Sequence, residues 1–252
     1  MWAQDRHKRI LQLLAVNGQV NAQDMADVLG VSRETVRRDL MDLEQTGQVN
    51  RVHGGAVLPE PRAEAPFRKR MNKQIRAKRD IARKASHLIQ AGQSIFVDAG
   101  TTTSIFASEL AKLHDIRVLT NSIDIATTIQ GAGARIDLLL LGGRIASDVP
   151  ATYGELTLSE IFRFNVDMAF VAPVALHEEK GGFDFDLHEA AIAEAMIRQA
   201  RQTVVLVDHT KLGATSRVRY CDLAQIDILV TDKGAPESIR QSLHHHGIKI
   251  IA

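Results

Sequence analysis

The first 58 residues contain three successive segments in which apolar side chains recur at helical spacing. A segment in which apolar and polar residues alternate follows them. The second apolar run ends at Gly30, and Ser32 is placed to cap the third helix. Residues 48–58 alternate and contain a Gly-Gly pair, which predicts a small hairpin. Three short helices and a hairpin indicate a winged helix-turn-helix, which we assign to residues 1–58. The residues predicted to face inward are Ile10, Leu11, Leu13, Leu14, Met25, Val28, Leu29, Val36, Leu40 and Leu43.

From residue 73 onward, the apolar positions form short continuous runs. These runs are rich in Val, Ile and Leu, most end in Gly, Asp, Asn or Pro, and helical stretches separate most of them. This pattern is typical of parallel strands that are covered by helices on both faces. We therefore assign residues 73–252 to an α/β effector domain with a mainly parallel sheet. Its helices are predicted around 103–113, 123–130, 155–163, 187–200 and 236–245.

Residues 59–72 are assigned to a linker, because their first part is rich in Pro and has no periodicity. Basic residues dominate from Arg68 to Lys84, and we expect a helix that continues to about Ile89. This basic helix is a candidate element for coupling the two domains. The alternative is a solvated helix that simply joins them.

The composition excludes several classes of protein. A single Cys in 252 residues excludes a disulfide framework and any Cys-rich zinc site. No stretch resembles a signal peptide or is long enough to span a bilayer, so we expect a soluble cytoplasmic protein. The formal net charge of +1 does not by itself indicate nucleic acid, although an average over the chain can hide a local patch.

The third helix of the N-terminal domain carries a cluster of cations. If its apolar residues pack inward, the opposite side presents Arg33, Glu34, Arg37 and Arg38, with Ser32 and Thr35 at the N-terminal end. An α-helix fits the major groove of DNA, and Arg can bind the edge of guanine through two hydrogen bonds. Arg51 and His53 on the hairpin are placed for backbone or minor-groove contacts. The acidic residues Asp39, Asp42 and Glu44 are expected to face solvent or to pair with arginines.

A second candidate site lies where the predicted strands end. Gly100 allows close approach of the backbone, and three threonines with the first amides of the next helix suit a phosphate. Other strand ends reach the same edge of a parallel sheet and offer groups for sugar hydroxyls and for an anion. The loop lacks the Lys and spacing of a nucleotide P-loop and is no dinucleotide fingerprint, so we expect no cofactor. The predicted ligand residues are Asp98, Gly100, Thr101, Thr102, Thr103, Thr120, Asn121, Ser122, Gly142, Gly143, Arg144, Asp208 and Lys211.

The motifs VSRETVRRDL and RVHGGA, together with VDAGTTT, LTNS, LLLGGR and VDHTKLG, resemble the DeoR/GlpR family of bacterial transcriptional regulators over essentially the full length. The resemblance implies an effector domain with the fold of ribose-5-phosphate isomerase and CoA transferases. It implies a repressor of carbohydrate utilisation that binds operator DNA as a homodimer or homotetramer and responds to a phosphorylated sugar. By this resemblance Ser32, Thr35, Arg37 and Arg38 contact DNA, and Arg33 with Glu34 forms a variable pair that tunes the operator.

The chain departs from the family pattern in two places: residues 171–176 read VAPVAL where the family usually has a Gly-rich run, and one helix differs. Glu189, which we include among the ligand residues, and Ala190 match, but Ala193 and Glu194 stand where the family has Lys and Arg. This substitution leaves open a sulfonated sugar, a non-phosphorylated sugar, or another anchor such as Arg144 or Lys211.

The sequence leaves three alternatives to a sugar-responsive repressor or to parts of its site. Residues 178–189 and the neighbouring His177 contain His and Asp side chains that could bind a metal, but we favour a solvated specificity loop and expect no metal. An isomerase or transferase with a DNA-binding domain would use Asp98, Glu189 and Asp208 as acid–base groups. The third alternative is an activator, or a regulator that senses a protein instead of a metabolite.

Overall fold

The computed structural model describes residues 2–46, 48–52, 54–57, 64–145 and 147–252. The chain divides into two compact units, residues 1–64 and 65–252. The N-terminal unit contains α1 (Ala3–Asn17), β1 (Gln19–Asn21), α2 (Ala22–Leu29), α3 (Arg33–Gln45), β2 (Asn50–Val52) and β3 (Gly55–Val57).

The three helices of the N-terminal unit surround one apolar core. Val36, Leu40 and Leu43 of α3 are fully or almost fully buried there. Val28 is more than half exposed, so the prediction that it faces inward is wrong. The reason is local, because the short helix α2 buries Met25, Ala26 and Leu29 on one face and Val28 falls outside that stripe.

Side-chain caps fix the starts of α2 and α3. Asn21 Oδ1 accepts hydrogen bonds from the amides of Gln23 and Asp24, and α2 ends at Gly30 in the left-handed conformation. Ser32 Oγ accepts a hydrogen bond of 3.1 Å from Thr35 N at the start of α3, as its position in the sequence predicted. The turn therefore fixes where α3 begins.

Asp39 of α3 is buried and pairs with an arginine, which is one of the two outcomes that the sequence analysis expected. Arg6 of α1 donates two hydrogen bonds to its carboxylate, at 2.7 and 2.9 Å, and His7 Nε2 lies 3.1 Å from Oδ1. The carboxylate tolerates burial because charged donors from α1 surround it. This pairing joins α1 to α3.

The predicted hairpin forms, and it belongs to a three-stranded sheet in the described part of the unit. β3 lies between β1 and β2 and pairs antiparallel with both. Gly55 faces the backbone of β1 so closely that a Cβ there would lie 2.2 Å from Val20 O. A side chain at this position would push β3 away from β1.

Gly55→Ala is therefore predicted to destabilise the N-terminal unit by about 2 kcal/mol or more, because backbone atoms cannot move aside as a flexible side chain can. Gly54→Ala is the matched control, since that position has only the strain of a positive φ and open space around its Cβ. Hydrogen exchange of the β1 and β3 amides measures the difference. Equal protection in the two variants would contradict the assignment.

The C-terminal unit alternates helices and strands. Its helices are α4 (Phe67–Asn72), α5 (Ile75–Ser86), α6 (Thr101–Leu110), α7 (Ile123–Gly131), α8 (Glu155–Ile161), α9 (Leu187–Arg198) and α10 (Glu237–His245). Its strands are β4 (Ser94–Val97), β5 (Arg117–Thr120), β6 (Asp137–Leu140), β7 (Val166–Val171), β8 (Ala175–His177), β9 (Gly181–Asp184), β10 (Ala200–Leu206), β11 (Val218–Cys221), β12 (Ile228–Val230) and β13 (Lys249–Ile251).

The predicted parallel sheet is confirmed. Among the described residues seven parallel strands stand in the order β13-β12-β10-β7-β4-β5-β6. Successive side chains of β4 enter different cores, since Ile95 and Val97 pack with α5, α6 and α7 whereas Phe96 packs with α9. From β4 the chain first builds β5 and β6 on one side and then returns to place β7 on the other. The sheet therefore has a switch point between β4 and β7.

Residues 178–189 do not form a solvated loop, so that prediction is wrong. Residues 181–184 are the strand β9, and all four are buried between β8 and β11 in a small antiparallel sheet. The sequence signal is weak because two glycines open the strand, and Gly182 packs against Cys221.

The expected linker and basic helix also take a different form. Residues 67–72, at the end of the predicted linker, form α4, and Phe67 is buried in the C-terminal unit with its amide donating to Asp148 Oδ2 at 2.6 Å. The basic stretch is divided into α4 and α5 by Gln74, whose φ is +55°. In the described residues, no helix is long and apolar enough to cross a membrane.

Candidate functional site

The exposed face of α3 carries the side chains that the sequence singled out for DNA. Arg33, Glu34, Arg37 and Arg38 are exposed, on the opposite side of the helix from the buried core residues. Glu34 and Arg38 lie 4.0 Å apart in a solvent-exposed ion pair, which adds little stability. Their side chains therefore remain available to a partner.

A cleft of about 330 Å³ separates α3 from the hairpin. Arg33, Arg37 and Arg51 all line it, so three guanidinium groups from two elements face one concave surface. The backbone of Arg51 is tied to α3, because its amide donates to Glu44 Oε1 at 3.2 Å. The hairpin is thus fixed against the helix. The predicted contact His53 lies outside the described residues.

The C-terminal unit gathers the other candidate residues at one edge of its parallel sheet. The segments after β4, β5, β6 and β10 hold the predicted ligand residues, and parallel strands bring these ends to the same rim. A Cβ at Gly100 would lie 3.6 Å from the Cβ of Ala172, the first residue after β7. The Gly-Thr loop therefore adjoins the switch point of the sheet.

One end of this rim is cationic, and its central residue is Lys78 of α5. Lys78 is 3% exposed, and its Nζ donates to Thr101 Oγ1 at 2.8 Å and to Arg70 O at 2.6 Å. Lys211 Nζ, which donates to Pro173 O at 2.9 Å, is close enough to repel it. Two ammonium groups therefore converge near the N-terminus of α6, where amides and threonine hydroxyls also point.

Burial lowers the pKa of Lys78 to about 8, repulsion from Lys211 adds to this shift, and attraction to Asp208 opposes it. A buried cation beside a second cation is electrostatically unsatisfied. An anion placed between them would relieve the repulsion and favour the charged form of Lys78. This end of the rim is therefore suited to a phosphate or sulfonate group.

The other end of the rim is acidic. Asp98 is buried, and burial raises the pKa of its carboxyl, with further contributions from Asp184 and then Glu189. Tyr153 OH and Ser147 Oγ lie 3.5 and 3.3 Å from Glu189 Oε1. Carboxyl and phenol groups form hydrogen bonds with hydroxyls, and a carboxylate that is ionised repels an anion. A ligand that fits both ends has an anionic group at one end and hydroxyls at the other.

The residues after β5 lie at the rim, but most of their side chains already form hydrogen bonds within the protein. Thr120 Oγ1 donates to Val97 O, Ser122 Oγ caps α7, and Asn121 Nδ2 donates to Thr152 O. Asn121 Oδ1 and the hydroxyl of Thr102 are buried and have no hydrogen-bond partner among the described residues. These two atoms are the ones left to bind a ligand.

The segment after β6 makes a different contribution. A Cβ at Gly143 would lie 2.2 Å from Thr157 Oγ1, so this glycine serves packing. Its neighbour Arg144 pairs with Tyr153 through backbone hydrogen bonds, and its side chain is exposed. In the described residues no contact joins the Arg144 side chain to the two lysines.

The departure from the family pattern in α9 has a clear structural setting. Ala193 is fully buried in the core beside Val171 and Val205, and Glu194 pairs with Arg198 at 2.5 Å along the helix. Neither side chain supplies a cation. Lys78, Lys211 and the amides of α6 thus carry the positive potential at the rim.

Lys78 is the site residue that the sequence analysis missed. Its signal was present, because Lys78 stands on the same helical stripe as Ile81, Ala82 and Ala85, and all four are buried. A lysine on an apolar stripe of a basic helix is easily counted with its exposed neighbours. Among the described residues no group of His, Cys, Asp and Glu is arranged to hold a metal ion.

An exposed arginine helix held beside a hairpin, and a polar rim on a separate α/β unit, define a helix-turn-helix transcriptional regulator with a sensor domain. The chain matches the DeoR-like helix-turn-helix domain over residues 6–62 and the DeoR C terminal sensor domain over residues 73–233. The chain belongs to the DeoR family.

Curated relatives are similar over nearly their whole length. The glycerol-3-phosphate regulon repressor of Escherichia coli (strain K12) is 31% identical, with 97% of both chains covered. The HTH-type transcriptional repressor GlcR of Bacillus subtilis (strain 168) is also 31% identical, over 100% of this chain and 96% of the relative. CsqR of Escherichia coli (strain K12), named as an HTH-type transcriptional repressor, is 30% identical, with 98% and 94% covered. The family and these relatives are transcriptional regulators and not enzymes.

Among solved structures, the ribose 5-phosphate isomerase A of Methanocaldococcus jannaschii matches with a TM-score of 0.40 and 19% identity. The match covers 54% of this chain and 53% of that one.

Arg37→Ala is predicted to weaken sequence-specific DNA binding by about 1–3 kcal/mol, because it removes one bidentate donor from the cleft. Gel shifts on duplexes selected from a random library measure the loss. Arg135→Ala, an exposed arginine of the other unit, is the control. Unchanged binding by the Arg37 variant would show that the cleft does not read DNA.

Anion affinity is predicted to fall as the pH rises from 7 to 9. With a pKa of about 8, Lys78 is about 90% charged at pH 7 and about 10% charged at pH 9, and the anion needs the charged form. Sulfate is a suitable probe because its own charge is constant in this range. Its stabilisation of the chain in thermal unfolding should shrink at pH 9.

Lys78→Met should remove this pH dependence, and Lys233→Met, an exposed lysine, should preserve it. The same sulfate effect at both pH values in the unaltered chain would contradict the role of Lys78.

Proposed function

We propose that the chain represses a carbohydrate-utilisation operon and is released from, or modulated at, its operator by a phosphorylated or sulfonated sugar. The observation that carries the proposal is the pair of lysines at the start of α6, one buried, at the switch point of the sheet. Such a site is suited to a small anion. The helix-turn-helix unit of the same chain supplies the operator contacts.

The anionic group of the sugar binds between Lys78 and Lys211, with the amides and hydroxyls at the start of α6 as further donors. The sugar hydroxyls lie toward Asp98 and Glu189, where carboxyl groups accept or donate hydrogen bonds. The supporting argument is electrostatic. Ionised carboxylates at the acidic end would repel the anionic group and the lysines at the cationic end attract it, so the ligand has one orientation.

The name of one relative, a glycerol-3-phosphate regulon repressor, supports an effector that combines hydroxyls with phosphate. A non-phosphorylated sugar is less suited, because it would not relieve the repulsion between Lys78 and Lys211. Phosphate and sulfonate present the same oxygen acceptors to Lys78 and Lys211. The screen described below distinguishes them.

We also propose that the repressor is a cytoplasmic homodimer or homotetramer, because paired operator half-sites require paired recognition helices. The effector acts by binding the DNA-competent and DNA-incompetent arrangements with different affinity. α4 and α5 are suited to transmit this difference. Lys78 is bound to the carbonyl of Arg70 in α4, so an anion that draws the ammonium toward itself weakens that hydrogen bond.

A thermal-shift screen of phosphorylated and sulfonated sugars, followed by release from selected operator duplexes, tests the proposal. A hit that stabilises the chain and releases DNA supports it. If neutral sugars act and anionic ones do not, the assignment of the effector is wrong.

Thr102→Val is predicted to weaken binding of the best anionic hit roughly tenfold, because it removes a buried hydroxyl without changing the shape of the side chain. DNA binding without effector should stay intact. Thr203→Val is the control, since Thr203 is a buried threonine within β10 and not at the end of a strand. Normal release of the Thr102 variant from DNA would contradict the site.

A further inference from the structure

The positive charge of this chain is concentrated in one short segment. Residues 65–79 contain seven Lys and Arg and no Asp or Glu. Residues 1–64, which include the helix-turn-helix, contain eight cationic and nine acidic residues, and residues 80–252 contain sixteen and twenty-one. Outside the short segment, the chain is therefore net negative.

This distribution is unexpected for a DNA-binding protein. Neutralisation of phosphates by Lys and Arg dominates the affinity of proteins for DNA. An N-terminal unit with a net charge of −1 has its arginines on α3 and the hairpin but gains little from long-range attraction. The attraction must come largely from elsewhere in the chain.

Most cations of the segment are available for such attraction. Two of the seven are engaged within the fold, since Lys78 is buried and Arg70 Nε donates to Ala65 O. The other five are exposed, and within the described residues none makes an ion pair or a side-chain hydrogen bond. They are Arg68, Lys69, Lys73, Arg76 and Arg79.

Asp124 and Asp148 line a groove with Arg68, but among the described residues no acid forms an ion pair with any of these five side chains. Asp80 follows directly, but it is paired with Arg83 and Lys84 at 2.6 and 2.5 Å. Glu109, which lines the same groove as Arg76, is paired with Lys112 at 2.8 Å. The excess of positive charge on α4 and α5 therefore faces solvent.

We infer that the exposed cations of residues 68–79 bind the phosphodiester backbone of the DNA that flanks the sequence read by α3. The partner follows from charge complementarity and from position in the chain. α4 begins at Phe67, ten residues after the hairpin strand β3 ends at Val57. A chain whose helix-turn-helix is on DNA thus keeps these cations close to the same duplex.

The segment contributes affinity without reading the sequence. Flexible Lys and Arg side chains that bind phosphates position a protein on DNA, and base-edge contacts specify the site. Because α4 and α5 also hold Lys78, the phosphate contacts and the proposed effector contacts are on the same two helices. Effector occupancy can therefore alter affinity for DNA through this segment.

The experiment compares two triple variants of the full chain on a mixed-sequence 40-base-pair duplex in a KCl titration. Arg68→Ser with Arg76→Ser and Arg79→Ser removes three charges from the segment. Arg135→Ser with Arg163→Ser and Arg201→Ser removes three exposed charges elsewhere in the C-terminal unit. Fluorescence anisotropy gives the dependence of log K on log[KCl].

The segment variant should lower the magnitude of the salt slope by roughly 2–3, at about 0.9 for each DNA phosphate that is no longer neutralised, and bind at least about tenfold more weakly at low salt. The control should keep the slope of the unaltered chain. Equal slopes for all three chains, or an equal reduction in the control, would overturn the inference. Equal slopes for all three chains would favour an acidic protein as the partner of this surface. An equal reduction in the control would show that the effect depends only on the net charge of the chain.

Discussion

The charge on Lys78 is the constraint on which the C-terminal unit depends. An ammonium group that is almost completely buried must be hydrogen-bonded, and Thr101 Oγ1 and Arg70 O meet that requirement from two different helices. The pair of contacts fixes α4, α5 and the start of α6 around one atom. An apolar side chain would pack there at less electrostatic cost. A cation at this position, with a second lysine beside it, is the basis of the proposal that both bind an anion.

The sheet topology gives the rim a cationic end and an acidic end. The switch point between β4 and β7 brings the Gly-Thr loop next to the residues after β7, and the return of the chain through β10 adds Asp208 and Lys211. The acidic group comes from other elements, because Asp184 of β9 and Glu189 of α9 are close enough to Asp98 to raise the pKa of its carboxyl. A ligand with separate anionic and hydroxylated parts satisfies both groups, whereas inorganic phosphate would satisfy one.

The two units divide the work of binding DNA unequally. In our proposal, specificity resides in a few arginines of α3 and the hairpin, whose positions depend on caps, on a buried carboxylate and on a glycine that lets two strands approach. We assign long-range attraction to the basic segment at the start of the other unit. Since that segment also holds Lys78, affinity for DNA and affinity for an effector are properties of the same pair of helices.

The sequence alone determined the features that depend on local chemistry. The spacing of apolar residues distinguished the helical N-terminal domain from the parallel sheet of the other domain. Ser32 marked the start of α3. The polar residues that end the apolar runs indicated which edge of the sheet forms the rim. It failed where a residue's role depends on distant partners. Lys78 was counted with its exposed neighbours, the burial of Asp39 beside its arginine was not foreseen, and residues 181–184 were assigned to a loop.

Burial explains each of these failures, because it is decided by what packs against a segment and not by the segment itself. A lysine, an aspartate and a glycine-rich strand all favour solvent by composition. Only the tertiary structure supplies Thr101, Arg6 and β11 as the partners that make their burial stable.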